Sequence, residues 1–100
     1  MKVILDTFFS RFTPAYVESR KSELTQLAQL VAVEDFDAIE SEFHKIRGSG
    51  GGFGLVAISD LARGVENAAQ GRQAVLVEAA FLSYQDYIQA LEVEFQESEK

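Results

Sequence analysis

His44, the only histidine of the chain, lies in a run of residues that suits phosphoryl transfer. A neutral imidazole can attack a phosphoryl group through one ring nitrogen while the other nitrogen donates its proton to an acceptor. Arg47, three residues later, can place positive charge near the phosphoryl oxygens, and Gly48 leaves room for the loops of a phosphoryl donor. His44 is therefore a candidate nucleophile, and the alternative is a solvated surface histidine without a function.

The position of His44 in its helix places it in solvent. The apolar residues around it repeat at a spacing of three, four and three, which is one stripe of an amphipathic helix: Phe36, Ile39, Phe43 and Ile46. His44 follows Phe43, about 100° around the helix from that stripe. Its neighbours on this flank are polar or small: Glu40, Ser41, Arg47, Gly48 and Gly51. We take Ser41, Gly48 and Gly51 as candidate contacts for a partner.

Neither a nucleotide site nor a metal site is predicted from these residues. Five of the seven glycines lie between positions 48 and 54, but no lysine follows Gly48 at the spacing of a P-loop, and no strand precedes the glycines. His44 and Glu40 would make a weak metal site, and Arg47 beside them would repel the ion. Because glycine costs roughly 1 kcal/mol inside a helix, we expect Gly52 and Gly54 to serve close packing of two helices at their junction.

Glu66 is the second carboxylate of interest. It follows Val65 as His44 follows Phe43, so in two antiparallel helices both residues turn toward the shared groove or both turn away. In the first case the carboxylate can accept a hydrogen bond from the imidazole and fix its tautomer. In the second case Glu66 pairs with Arg63 on its own helix. The spacing leaves both arrangements open.

The elements that position these residues are predicted to form an all-α, antiparallel four-helix bundle with a short extra N-terminal helix. Apolar residues at helical spacing predict that this short helix ends near Phe12. Thr13 suits an N-cap and Pro14 a first helical position, and the helix that follows runs to about Val33. No segment is interpreted as a strand.

Three further helices complete the predicted bundle. Asp35 can cap the helix that carries His44, which ends in the glycine cluster between positions 50 and 54. The next helix closes at Gly71. The last begins at about Gln73, and its apolar residues alternate in spacings of four and three as far as Phe95, which is the seam of a bundle helix.

Composition predicts one domain over residues 1–100, with 47% hydrophobic residues to build a core. The net charge of −7 argues against a nucleic-acid partner, which would need a basic face. The first apolar run is broken at Asp6, too early for a signal segment or a membrane span. The absence of cysteine fits a reducing compartment, so a cytoplasmic protein is expected. The polar outer faces of the predicted helices favour a monomer.

Residues 44–54, His-Lys-Ile-Arg-Gly-Ser-Gly-Gly-Gly-Phe-Gly, resemble the signature of histidine phosphotransfer (HPt) domains. That signature is a histidine, two residues, a lysine or arginine, a glycine, a small residue and a closing glycine. The similarity extends to the acidic Asp-Phe-Asp before this helix and to the Ile-Ser-Asp-Leu-Ala run after it. It covers essentially the whole chain, and the fold of the family is the helical bundle predicted above.

The resemblance implies a phosphorelay intermediate in two-component signalling, not an enzyme with kinase activity. His44 would take a phosphoryl group on Nε2 from an aspartyl phosphate of a receiver domain and pass it to another receiver. At the position of Arg47 the family more commonly has a lysine. At the position of Glu66 some relatives have a glutamate that is hydrogen-bonded to the other ring nitrogen, and others have a glutamine.

The resemblance also implies the partners, which are response-regulator receivers or a hybrid sensor histidine kinase. No cofactor is expected in this chain, because Mg²⁺ belongs to the receiver. The alternatives are a domain excised from a larger histidine kinase of hybrid or chemotaxis type, and an adaptor that only docks on receivers.

Overall fold

The computed structural model describes residues 1–97, and most of them are helical. The elements are β1 (Lys2–Asp6), a 3-10 helix (Thr7–Arg11), α1 (Thr13–Ser22), α2 (Leu24–Ala32), α3 (Phe36–Gly50), a 3-10 turn (Gly51–Phe53), α4 (Val56–Gln70), α5 (Ala74–Ala90) and β2 (Glu92–Gln96). The structure confirms an antiparallel four-helix bundle, in which α1 and α2 together occupy one corner and α3, α4 and α5 the other three.

The first corner of the bundle is one helix in the prediction and two in the structure. Glu23 interrupts it with φ −88° and ψ −5°, and no glycine or proline marks this position. The start also differs, because Thr13 lies inside α1 and caps nothing. Its buried hydroxyl donates to the carbonyl oxygen of Phe53 at 2.8 Å, which ties α1 to the end of the glycine cluster.

The core is built from the stripes that the sequence indicates on the later helices. Phe43 of α3 is fully buried and meets Tyr84 of α5 edge to face, with ring centroids 5.0 Å apart. Ile58 and Val65 of α4 are also fully buried. α3 and α5 therefore touch across the core, diagonally, while α4 packs beside both. This packing holds α3 in a fixed rotation about its own axis, so the side opposite its apolar stripe must face solvent.

The predicted N-terminal helix is wrong. Residues Lys2–Asp6 form a strand that pairs in parallel with Glu92–Gln96, with Val3 opposite Val93 and Leu5 opposite Phe95. The 3-10 helix follows, capped by the side chain of Asp6, which accepts from the amide of Phe8. The apolar residues at helical spacing belong to two short elements, the strand and the 3-10 helix, and only the second of these is helical.

The last predicted helix is also too long, because its apolar residues at helical spacing continue into a second element that is not helical. α5 stops at Ala90, and residues 92–96 alternate between exposed glutamate or glutamine and half-buried Val93 and Phe95. This alternation is a strand pattern, so the interpretation that no segment is a strand is also wrong. β2 meets the start of the chain directly, because the amide of Glu92 donates to the carbonyl oxygen of Met1.

The junction of α3 and α4 depends on a different glycine from those expected. A Cβ on Gly50 would lie 2.7 Å from the Ser59 hydroxyl and 2.9 Å from its backbone nitrogen, whereas a Cβ on Gly52 would meet nothing within 4 Å. Gly54 adopts φ +83°, which favours glycine, and it lies against Leu5, not against α4. None of the helices in residues 1–97 combines the length and the hydropathy that a membrane span needs.

Candidate functional site

The centre of the site is a triad of side chains across the groove between α3 and α4. His44 Nδ1 lies 2.8 Å from Glu66 Oε2, and Arg47 Nε donates to Glu66 Oε1 at 2.6 Å. The two helices are antiparallel, so one turn of α3 places His44 and Arg47 on either side of a single residue of α4. The open alternative is thereby decided: Glu66 faces His44, and Arg63 pairs with Asp60 instead.

Glu66 is the buried member of this triad. Its side chain is 6% exposed, whereas that of His44 is 63% exposed. Burial alone would raise the pKa of Glu66, but the hydrogen bonds from His44 and Arg47, together with the charge of Arg47, outweigh burial and lower this pKa. Glu66 is therefore an ionised carboxylate at neutral pH and can only accept hydrogen bonds.

The ionised state of Glu66 decides the tautomer of the imidazole. An acceptor at 2.8 Å from Nδ1 requires that Nδ1 carry the proton, so the lone pair of neutral His44 is on Nε2. Since the ring is largely exposed while Nδ1 is held by Glu66, the nitrogen that carries the lone pair is the one turned away from Glu66. The triad thus orients a solvent-accessible Nε2 without needing any other base.

Arg47 is held by Glu66 on the Nδ1 side of the ring. Its Nη2 lies 3.0 Å from His44 Nδ1, and since both atoms carry hydrogens in this tautomer, this is a close contact and not a hydrogen bond. The only hydrogen bond from Arg47 to a carboxylate of residues 1–97 uses Nε. Both terminal nitrogens of the guanidinium remain available to an incoming anion.

The three candidate partner contacts lie along the same exposed edge. Ser41, Gly48 and Gly51 are exposed, one turn before and one and two turns after His44. A Cβ on Gly48 would meet nothing within 4 Å, so this glycine leaves a bare stretch of helix surface beside the imidazole. The structure places these residues around His44, and their role in binding is a prediction.

Two features of the site were missed from the sequence. Gln70 Nε2 donates to Glu40 Oε2 at 3.0 Å and closes the groove one turn beyond the triad. The far end of α3 is anchored by Ser59, whose hydroxyl accepts from the amide of Gly51 at 2.9 Å. The residue numbers of each of these two pairs sum to 110, as do those of His44 and Glu66. Once one pair fixes the register between the two segments, the other pairs could be predicted from it.

The described residues offer no metal centre. No group of three or more histidine, cysteine, aspartate or glutamate side chains within residues 1–97 is arranged to hold an ion. The cation next to His44 is Arg47, whose charge already balances Glu66.

Comparison with known proteins gives one match. The family model of the Hpt domain matches residues 14–94, which include α2 to α5, all of α1 except its first residue, and the whole triad. No curated protein and no solved structure matches the chain.

Proposed function

Because this chain belongs to the Hpt domain family, whose members are carriers in histidine phosphotransfer of two-component systems and not kinases, we propose that it shuttles a phosphoryl group between receiver aspartates on His44. The observation that carries this proposal is the hydrogen bond between His44 Nδ1 and buried, ionised Glu66, which leaves Nε2 as an exposed nucleophile. The proposal treats residues 1–100 as one such domain and assigns the protein to the cytoplasm with its receiver partners.

The chemistry needs no proton transfer within this chain. The lone pair of His44 Nε2 forms a bond to the phosphorus of an aspartyl phosphate while the bond to the aspartate oxygen breaks, and the carboxylate leaves with that electron pair. Nδ1 keeps its proton throughout, so the phosphorylated ring gains positive charge. Glu66, 2.8 Å away, stabilises that charge as it develops and again when the reaction runs backward to a second receiver.

Arg47 contributes charge near the transferred group. Its terminal nitrogens are free of carboxylate contacts among residues 1–97, and its side chain is 35% exposed, so they can donate to phosphoryl oxygens at Nε2. The hydrogen bond from Nε to Glu66 keeps the guanidinium beside the imidazole. The Mg²⁺ of the reaction belongs to the receiver in this proposal, and no cofactor is assigned to this chain.

The surface around His44 suits the approach of a receiver loop. Gly48 and Gly51 present backbone without side chains on one side of the imidazole, and Ser41 presents a small polar group on the other. A receiver must bring its own phosphorylated aspartate within bonding distance of Nε2, so bare backbone beside His44 removes the main steric obstacle.

The proposal is tested by transfer between two receiver domains. A phosphorylated receiver with Mg²⁺ is mixed with this chain and a second receiver, and label is followed on all three proteins. We expect label to pass through the wild type and through Lys45→Gln, an exposed neighbour that pairs only with Glu42 among residues 1–97, but not through His44→Gln. Binding of receivers without any labelled intermediate would favour the docking adaptor. Fusion of the domain to a histidine kinase in the full reading frame would favour the excised-domain alternative.

A further inference from the structure

Arg63 lies across the groove from Arg47, next to the triad. Three contacts between the segments on the two sides of this groove have residue numbers that sum to 110: His44 with Glu66, Glu40 with Gln70, and Gly51 with Ser59. The same sum places Arg63 opposite Arg47. Arg63 is therefore one turn before Glu66 on α4, although its only hydrogen bond among residues 1–97 is to Asp60.

Arg63 and His44 border the same open surface. The helical period places Arg63 about 60° around α4 from Glu66, on the side away from the buried Ile58 and Val65. The side chain of Arg63 is 53% exposed, and that of His44, on the facing helix, is also largely exposed. The two side chains therefore both face solvent at the mouth of the groove.

The distance between the two backbones is one that the side chains can span. The axes of packed helices are about 8 to 10 Å apart, and three residues rise about 4.5 Å along a helix. Because Arg63 is three residues from the position opposite His44, the two backbones are about 10 Å apart. An extended arginine on one side and a phosphorylated imidazole on the other cover that distance together.

A phosphoryl group on His44 brings more negative charge than its neighbours balance. Such a group carries nearly two negative charges at neutral pH, and the positive charge that the ring gains offsets only one of them. The charge of Arg47 already balances Glu66. Lys45 pairs with Glu42 and lies about 100° around α3 from His44, on the side away from α4. A further cation on the α4 side would stabilise the phosphorylated state.

Arg63 can supply that charge at little cost. Its Nη1 donates to Asp60 Oδ1 at 3.1 Å, in an exposed bridge one turn farther from the triad along α4. Exposed bridges of this kind contribute little to stability and exchange readily. A phosphoryl group offers more charge and more acceptor oxygens than one carboxylate, and the planar guanidinium can bind two of those oxygens at once.

We propose that Arg63 is a second phosphoryl-binding residue, which leaves Asp60 when His44 is phosphorylated and holds the phosphoryl group from the α4 side of the groove. The inference rests on the proposed function, because Arg63 has an anion to bind only when His44 carries the group. Arg47 and Arg63 then stabilise the phosphorylated chain from opposite walls. Arg63 thereby shifts the equilibrium of transfer toward this chain and away from the receiver.

The ionisation of the phosphoryl group tests the proposal. The protein is phosphorylated with phosphoramidate, and phosphorus NMR over a range of pH gives the pKa of the group on His44. A guanidinium beside the group favours its dianion and lowers this pKa. Arg63→Gln should therefore raise the pKa by about 0.3 to 0.6 of a unit, the effect of one charge at about 5 Å in water with and without salt screening. Arg63→Lys keeps the charge and should restore most of the lowering.

The matched control is Arg72→Gln. The side chain of Arg72 is 52% exposed and also pairs with one exposed aspartate, Asp37. Asp37 lies seven residues before His44, about 10 Å away along α3, where salt screens most of the interaction. The phosphoryl pKa of Arg72→Gln should match that of the wild type. Thermal unfolding should be unchanged in both glutamine variants, because each loses only an exposed bridge.

The possible results separate this inference from the proposed function. An unchanged phosphoryl pKa in Arg63→Gln, or an equal rise in Arg72→Gln, would overturn the role of Arg63 and leave the proposed function intact. A rise in Lys45→Gln without one in Arg63→Gln would overturn it as well. A wild-type protein that takes no phosphoryl group on His44 would overturn both.

Discussion

Glu66 is the residue on which the geometry of the site depends, because it binds both His44 and Arg47 from a buried position. Glu66→Gln keeps an acceptor for Nδ1 but removes the charge that stabilises the phosphorylated ring. A charge-assisted hydrogen bond is about twice as strong as a neutral one, so we expect phosphotransfer to slow about tenfold. Stopped-flow transfer from a receiver measures this rate.

The matched control for this variant is Glu40→Gln. Glu40 lies in the same groove but contacts Gln70 and not His44. Its transfer rate should stay within twofold of the wild type. Equal rates for the two variants would show that Glu66 contributes nothing beyond general negative charge in the groove.

The pH dependence of stability follows from the same carboxylate. Because the pKa of Glu66 is lowered in the folded state, the unfolded chain binds the proton more readily. The contribution of ionised Glu66 to the free energy of unfolding is therefore complete above the ordinary glutamate pKa of about 4.3. It is lost as the pH falls through the lowered pKa. We expect urea unfolding to show the wild type more stable than Glu66→Gln by about 1 kcal/mol at neutral pH, a difference that shrinks on acidification. A difference independent of pH would contradict the pairing.

Site residues that are close together in the chain could be predicted from the sequence, whereas a contact between two helices could not. The relative placement of His44 and Arg47 could be predicted because both residues lie in one helix. The helical period fixes where one lies relative to the other. The contact of His44 with Glu66 needed the register of two helices, which the offsets from Phe43 and Val65 restricted to two arrangements without choosing one. Only the packing of the whole bundle chooses between them.

At the scale of the secondary-structure elements, α3 and its junction with α4 contain one glycine that is needed for packing and another that is available for binding a partner. Gly50→Ala places its Cβ 2.7 Å from the Ser59 hydroxyl and should destabilise the fold by about 1 to 3 kcal/mol. Gly48→Leu enters open space and should leave stability unchanged or raise it by up to about 1 kcal/mol, while slowing transfer by obstructing the receiver. Thermal unfolding and transfer rates, measured on both variants, distinguish the two. Normal transfer by Gly48→Leu would contradict the approach path.

The strand pair is a second feature whose importance can be measured. Val93 is half-buried against the core, whereas Glu94 of the same strand points outward. Val93→Asp should lower stability by about 1 to 3 kcal/mol because it buries a polar group without a partner, and Glu94→Ala should change it by less than about 0.5 kcal/mol. Equal effects in urea unfolding would mean that β1 and β2 do not pack on the bundle in solution.

The strands escaped prediction for different reasons at the two ends of the chain. Residues 2–6 hold three adjacent apolar residues, Val3, Ile4 and Leu5, and their partner strand lies some ninety residues away. No local period reports such a parallel pair. Residues 92–96 alternate as a strand does, but Phe95 also continues the four-and-three spacing of α5, and the longer pattern was preferred. The helices could be predicted because the helical period relates residues that are close in the sequence, and it repeats over many residues.

The whole molecule is an elongated rod of 47 × 21 × 18 Å. The triad lies on the surface that α3 and α4 share.

The central claim is that His44 carries the phosphoryl group on Nε2. It is tested most directly by treating the protein with phosphoramidate near neutral pH, measuring its intact mass and locating the modified atom by nitrogen NMR of the imidazole. We expect one acid-labile phosphoryl group, attached at Nε2 with Nδ1 still protonated, and none in His44→Gln, whose thermal unfolding should match that of the wild type. Modification at Nδ1, or at a residue that remains modified in His44→Gln, would contradict it.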